Sequence, residues 1–177
     1  MRARVDELLA GIPLPTPFDI HEFCATLAAR RGRPIALTPA SRLLTDRAFP
    51  FSGLWIAAPG GDHVFYDDST SPLHWENSVL HELGHMLFGH RARGMLDEGQ
   101  LRLLGALLPD LSADRLRGLL GGTLGRAGFT DRQEREAELF AARVWELAGR
   151  TLVRVRHPGA DGPVLDRLAD ALGPGAP

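Results

Sequence analysis

This 177-residue chain has no lysine, no excess of positive charge, only one cysteine and no long apolar run, and these features argue against several classes of protein. Lysine is absent, so arginine supplies all 20 basic residues, and 22 acidic residues bring the net charge to -2. A chain without excess positive charge is not typical of proteins that bind nucleic acids or membrane surfaces. Cys24 is the single cysteine, which excludes an internal disulfide and a metal cluster of cysteine ligands. No apolar run approaches the ~18 residues that a membrane span requires.

The remaining composition is that of an ordinary globular protein, with 44% hydrophobic and 24% charged residues. We expect one domain over 1–177, with its core at about 18–150. Residues 1–17 would form an N-terminal helix and a proline-rich segment, and 173–177 a flexible tail. Acidic residues interrupt the short apolar stretch at the N-terminus, unlike a secretory signal. We therefore expect a cytoplasmic protein with a reduced thiol.

Helix and strand signals follow one another in an order typical of an α+β fold. Capped helices are predicted after Asp19, Ser71 and Thr130, because each precedes an apolar periodic segment. The helix after Ser71 should run to about His90. The other expected elements are short helices at 5–10, 98–108, after Ser112 and 161–172, and strands at 34–38, 53–58 and 63–67. We expect a small, mostly antiparallel sheet packed against an active-site helix and a second, ligand-bearing helix.

The segment HELGH, in the middle of the helix after Ser71, predicts a metal site. His81 and His85 are four residues apart, so both imidazoles lie on one helix face and can bind one zinc ion. Glu82 is rotated by about 100° and can act as general base toward a zinc-bound water. The alternative is a chance match with a solvated His/Glu face, but the apolar flanks of this helix argue for burial.

A mononuclear site needs a third protein ligand, and the sequence offers more than one. Phe88 and Arg91 occupy the positions where a metzincin would have glycine and histidine. His90 is one residue short of the required face, and we expect it to be a helix C-terminal residue that interacts favourably with the helix dipole. Glu98, in a glycine-rich connection, and Glu134, in the first turns of the last capped helix, are both candidates. We favour Glu134 because a helix fixes a carboxylate more tightly than a loop does.

The helix after Thr130 carries three alternating acidic residues, whose roles should differ. Glu134 and Glu138 share a face, and Glu138 could form a hydrogen bond with a ligating histidine. Glu136 points about 200° away from Glu134 and is expected to tolerate substitution. Gly84 and Ala137 are small enough to let the two helices approach closely. The alternative for this acidic run is a solvated face paired with arginine.

The segments FYDDSTSPLHWENSVLHELGHMLFGH and EREAELFAA together resemble the ImmA/IrrE family of metallopeptidases, over roughly residues 20–145. The resemblance implies a zincin-like fold, one zinc ion per chain and cleavage of a helix-turn-helix transcriptional repressor. Two features depart from the family pattern. Glu138 replaces an asparagine or aspartate, and RVWELAGR follows FAA in place of a leucine-rich stretch.

The expected function is therefore that of a zinc endopeptidase acting on a protein, with Glu82 as catalytic residue and His81, His85 and Glu134 as metal ligands. The alternative is a regulatory partner that keeps the metal scaffold but acts by binding. Tyr66 and His157 are candidates for stabilising an oxyanion, and His74 could line the cleft. No direct contact with nucleic acid or membrane is expected.

Overall fold

The computed structural model describes residues 1–42, 51–90, 102, 105–108 and 129–149. These ranges contain a mixed α+β arrangement with a three-stranded sheet. The helices are α1 (Arg2–Leu9), α2 (Ile20–Arg31), α3 (Pro72–Phe88) and α4 (Asp131–Leu147), with a 3-10 turn at Ala40–Arg42. The strands are β1 (Ile35–Pro39), β2 (Gly53–Ala58) and β3 (Gly61–Tyr66). The helices predicted after Ser112 and at 161–172 lie outside the described residues.

The sheet has the strand order β1-β3-β2, so the central strand is the last in the sequence. β2 and β3 form the predicted antiparallel hairpin, but β1 runs parallel to β3. The expectation of a mostly antiparallel sheet is therefore wrong for the described strands, which have one pairing of each kind. The physical reason is the connection: the chain between β1 and β3 spans residues 40–60 and includes β2, whereas only a tight turn between the two strands would have imposed an antiparallel pair.

The ends of the helices follow the capping residues in the sequence. The side chains of Asp19, Ser71 and Thr130 each accept a hydrogen bond from a backbone N–H in the first turn of their helix. The structure ends α3 earlier than predicted, at Gly89, where φ is 65°. A glycine adopts this left-handed conformation without steric cost, so it stops the helix here rather than at about His90.

α3 lies between the sheet and α4, and it contacts β2, β3 and α4. Its apolar residues join those of α2 and α4 in one core, with Phe23, Leu83, Phe140 and Trp145 fully or almost fully buried. The indole Nε1 of Trp145 donates a hydrogen bond to Asn77 at 3.1 Å, which ties α4 to α3. Truncating a buried side chain such as Leu83 to alanine should cost about 2–5 kcal/mol.

α1 is part of this core rather than an appendage to it. Val5 is fully buried and Leu9 nearly so, and both belong to the apolar cluster formed with α4. At the surface, Arg2 pairs with Glu146 of α4 at 3.1 Å. The core therefore extends to residues that the sequence assigned to an N-terminal segment. No helix among the described residues is long and apolar enough to cross a membrane.

Candidate metal centre

Three predicted ligands, His81, His85 and Glu134, converge between α3 and α4. His81 Nε2 lies 3.0 Å from His85 Nε2 and 3.2 Å from Glu134 Oε2, and His85 Nε2 lies 3.8 Å from the same oxygen. His85 is fully buried, whereas the side chains of His81 and Glu134 are 23% and 37% exposed. The group is therefore held firmly on one side and is open to solvent on the other.

This arrangement fits a zinc ion. Ligand atoms that bind zinc at 2.0–2.2 Å with tetrahedral angles lie about 3.4 Å apart. The three distances observed here, 3.0, 3.2 and 3.8 Å, each differ from that value by about 0.5 Å or less. The donor set, two imidazole nitrogens and one carboxylate oxygen, is also one that catalytic zinc sites use, because it leaves a fourth position free.

The two helices approach closely because Gly84 faces Ala137. A Cβ added at Gly84 would lie 3.0 Å from the Cα of Ala137 and 3.3 Å from its Cβ. The prediction that small residues allow this approach is confirmed. Gly84 lies between His81 and His85 in sequence, and Ala137 lies one turn after Glu134. The contact between Gly84 and Ala137 therefore sets the distance between the histidines on α3 and Glu134 on α4.

Glu82 points toward β2, which is consistent with its rotation of about 100° from His81 around α3. Its Oε2 accepts a hydrogen bond from the backbone N–H of Trp55 at 3.0 Å. A Cβ at Gly53 would lie 2.9 Å from Glu82 Cγ, so a glycine is needed there to make room for this side chain. The carboxylate is thus held against β2.

The strand that holds Glu82 is itself fixed by a buried charge. The indole Nε1 of Trp55 donates a hydrogen bond to Asp62 at 3.0 Å, and Asp62 is only 1% exposed. Arg31 and Arg33 pair with the other carboxylate oxygen of Asp62 at 2.7 and 3.0 Å. Because two cations compensate the buried carboxylate, Asp62 can anchor Trp55 without leaving an unpaired charge in the interior.

The pKa values of the two carboxylates at this site, Glu82 and Glu134, shift in opposite directions. Burial raises the pKa of Glu82, and the charge of His81 offsets this only in part. Hydrogen bonds with His81 and His85 hold the pKa of Glu134 well below its usual range. Burial also lowers the pKa of His85. Glu134 is therefore held in its anionic form, whereas Glu82 has a higher affinity for a proton than an ordinary carboxylate does.

A second group of polar residues lies behind His85. The Nδ1 atoms of His85 and His90 are 3.1 Å apart, and His90 Nε2 lies 3.1 Å from Glu136 Oε2. Glu136 is 3% exposed and pairs with Arg4 of α1 at 2.9 Å. The Phe129 ring stacks on His85 with 3.6 Å between centroids. The ring of His85 is thus contacted on its face and at both nitrogens.

One prediction about this group is wrong, and Glu136 is buried although it was expected to tolerate substitution. His90 is not in the helix: Gly89 turns the chain, and the backbone N–H of His90 bonds back to the carbonyl of His85 at 3.0 Å. Glu136 does face away from Glu134, but it points into the protein interior instead of toward water. The signal for His90 was available in the sequence, since a glycine directly after the apolar helix favours a turn that brings the next residue back. No sequence signal indicated the partner of Glu136.

Tyr66 and His74, two remaining candidates that the structure describes, have no contact with the ligand group among the contacts of the described residues. Tyr66 is buried in the core and stacks on Trp75 at 4.8 Å, which supports a packing role. His74 lies in the first turn of α3, where its backbone N–H bonds the Ser71 side chain. His157 and Glu98 lie outside the described residues. The predicted hydrogen bond of Glu138, which is exposed, to a ligating histidine stays a prediction.

No protein-family model matches this chain, and no curated protein matches it either. The resemblance to the ImmA/IrrE family therefore rests on the two motifs and stays a prediction.

Proposed function

We propose that this protein is a zinc-dependent endopeptidase with a zincin-like fold. The observation that carries the proposal is the convergence of His81, His85 and Glu134, with Glu82 beside them and turned toward the sheet. The carboxylate of the HELGH motif, Glu82, is thus not one of the proposed ligands and is free to act as a general base. A purely structural zinc site would not require a carboxylate in that place.

Each residue has a distinct task in the proposed reaction. His81, His85 and Glu134 would hold the metal. When bound, zinc supplies Lewis acidity and lowers the pKa of coordinated water. Glu82 accepts a proton from the attacking water and passes it to the leaving amine, for which a raised pKa suits it better than the pKa of an exposed carboxylate. The hydrogen bond from the Trp55 N–H holds Glu82 in place between the two transfers.

An extended polypeptide is the substrate shape that this geometry favours. β2 is an edge strand, because β3 pairs with it on one side and no strand of the described ranges pairs with it on the other. The Trp55 N–H that binds Glu82 belongs to this strand. An extended chain that added to the sheet at β2 would therefore pass close to the proposed general base. The motif resemblance suggests a helix-turn-helix repressor as the substrate, and the cytoplasm as the place of action.

The test combines metal analysis with a cleavage assay. The purified protein should contain about one zinc ion per chain, and His81→Ala and His85→Ala should lose it. Glu82→Gln should keep zinc and the fold but lose hydrolysis of a quenched-fluorescence peptide library and of any helix-turn-helix repressor that a neighbouring gene encodes. Glu22→Gln, the same change at an exposed position of α2, is the matched control and should match the parent in both assays.

Full zinc retention in both histidine variants would overturn the metal assignment. If Glu82→Gln bound the repressor and performed the cellular role as the parent does, the protein would be a regulatory partner and not a peptidase.

A further inference from the structure

A continuous series of polar contacts runs from the ligand group to the N-terminal helix. It begins at His85, passes through His90 and Glu136, and ends at Arg4. His85, His90 and Glu136 are each no more than 6% exposed. Nothing in the proposed hydrolysis uses His90, Glu136 or Arg4, although His90 and Glu136 are buried and would be costly to place there without compensation.

Only one arrangement of protons satisfies all the contacts in this series when His85 Nε2 binds a metal. That nitrogen must then present its lone pair, so the proton of His85 is on Nδ1 and is donated to His90 Nδ1, 3.1 Å away. His90 Nδ1 is therefore an acceptor, and its own proton is on Nε2. This proton is donated to Glu136 Oε2, also 3.1 Å away. The carboxylate of Glu136 thus dictates the tautomers of both histidines.

The far end of the series holds Glu136 in the orientation that this arrangement needs. The Arg4 guanidinium donates to Oε1 of Glu136 at 2.9 Å, which leaves Oε2 for His90. Arg4 also lies over the ring of Phe88, with its central carbon 5.0 Å from the ring centroid, and Phe88 stacks on His90. α1 therefore contributes to a set of contacts that ends at a metal ligand.

We propose that His90 and Glu136 are positioning residues that fix the ring orientation and the tautomer of His85 for metal binding. The inference rests on the metal centre of the proposed function. Groups that orient a metal-binding histidine through its other nitrogen typically contribute tenfold to a hundredfold to metal affinity. Here that role is performed by a histidine and a carboxylate in series, and the carboxylate comes from the same helix as Glu134.

The test uses two pairs of variants in the full chain. His90→Leu removes the acceptor for His85 at similar size, whereas His90→Asn can place an oxygen near the position of Nδ1. Glu136→Leu removes the carboxylate, whereas Glu136→Gln keeps an acceptor oxygen. Arg4 is 51% exposed, so its guanidinium can turn toward water when Glu136 is replaced. Glu146→Gln is the control, because Glu146 also joins α4 to α1 through an ion pair but has no described contact with the ligand group.

Two measurements separate positioning from packing. Zinc affinity is determined by competition with a chromophoric chelator, and the visible absorption of the cobalt(II)-loaded protein reports the ligand field directly. We expect His90→Leu and Glu136→Leu to bind zinc tenfold to a hundredfold more weakly, with an altered cobalt spectrum. His90→Asn and Glu136→Gln should recover most of the affinity. Glu146→Gln should leave both measurements unchanged.

The inference is overturned if either leucine variant folds and binds zinc like the parent with the same cobalt spectrum. Where a leucine variant does not fold, the alanine variant at the same position takes its place. The inference is also overturned if Glu146→Gln weakens zinc as much as Glu136→Leu does, because loss of α1 packing would then explain both. If the parent itself binds no zinc, the proposed function fails. If the parent binds zinc and hydrolyses peptides but the leucine variants at His90 and Glu136 bind zinc as Glu146→Gln does, only this inference fails.

Discussion

Replacing Gly84 with alanine tests whether the contact between α3 and α4 sets the geometry of the ligand group. The added Cβ would lie 3.0 Å from Ala137 Cα and 3.3 Å from the Ala137 carbonyl oxygen. Comfortable carbon contacts are about 3.5–4.0 Å, so the helices must separate locally by about 0.5 Å or more. The nearest atoms belong to the backbone of α4, and rotation of a side chain cannot relieve the contact.

Two opposing terms decide the effect of Gly84→Ala on stability. Alanine is favoured over glycine within a helix by about 1 kcal/mol. Overpacking of this kind costs about 1–3 kcal/mol. We therefore expect the metal-free protein to lose only about 0–2 kcal/mol in its free energy of unfolding, because the two terms partly cancel.

Zinc affinity should fall more clearly than stability. Separation of the helices would lengthen both distances from Glu134 to the histidines, one of which is already 3.8 Å. We expect the zinc dissociation constant to rise at least tenfold, which removes about 1.4 kcal/mol of the stabilisation that added zinc provides. Urea unfolding with and without zinc measures both quantities in the same experiment.

The control for this experiment is Gly60→Ala, since a Cβ there meets nothing within 4 Å. It should change stability by less than about 0.5 kcal/mol and leave zinc binding alone. Adding Ala137→Gly to Gly84→Ala should recover only part of the zinc affinity, because the nearest atom to the new Cβ, the Cα of residue 137, is still present. The reasoning is refuted if Gly84→Ala gains the full helix propensity of about 1 kcal/mol and binds zinc as tightly as the parent.

Three further predictions concern other parts of the molecule. Glu134→Ala should weaken zinc severely and Glu138→Ala less so in chelator competition, and an equal loss in both would contradict the assignment of Glu134 as the ligand. Gly53→Ala, whose Cβ would lie 2.9 Å from Glu82 Cγ, should keep zinc but slow peptide hydrolysis roughly tenfold to a hundredfold, and unchanged rates would show that Glu82 is not positioned by this contact. Burial, with a smaller contribution from Asp19, raises the pKa of Cys24 from 9.0 to about 12, so the thiol should resist alkylation at pH 8 until the protein unfolds. Because the folded state binds that proton more tightly, stability should fall as pH rises from about 9 toward 12, which denaturant titrations across that window would detect.

The local features of this protein were predictable from its sequence because they depend on near neighbours. Side-chain caps at Asp19, Ser71 and Thr130 bond to backbone groups within one helical turn, so the sequence determines where these helices begin. The spacing of His81 and His85 likewise places two imidazoles on one helix face. The prediction of Glu134 as a third ligand also started from helical position, and the structure brings its carboxylate to the two histidines.

Only the tertiary structure decided the features that join distant segments. The parallel pairing of β1 with β3 depends on how a long connection crosses the sheet, which no local pattern specifies. The burial of Glu136 depends on Arg4, which is 132 residues away in sequence, and on the turn at Gly89 that brings His90 between Glu136 and His85. The position of a carboxylate such as Glu136 on its own helix predicts only that it faces away from the neighbouring helix, and therefore toward water. The carboxylate can be buried when charges and donors from other elements compensate it, and those partners are known only once the chain is folded.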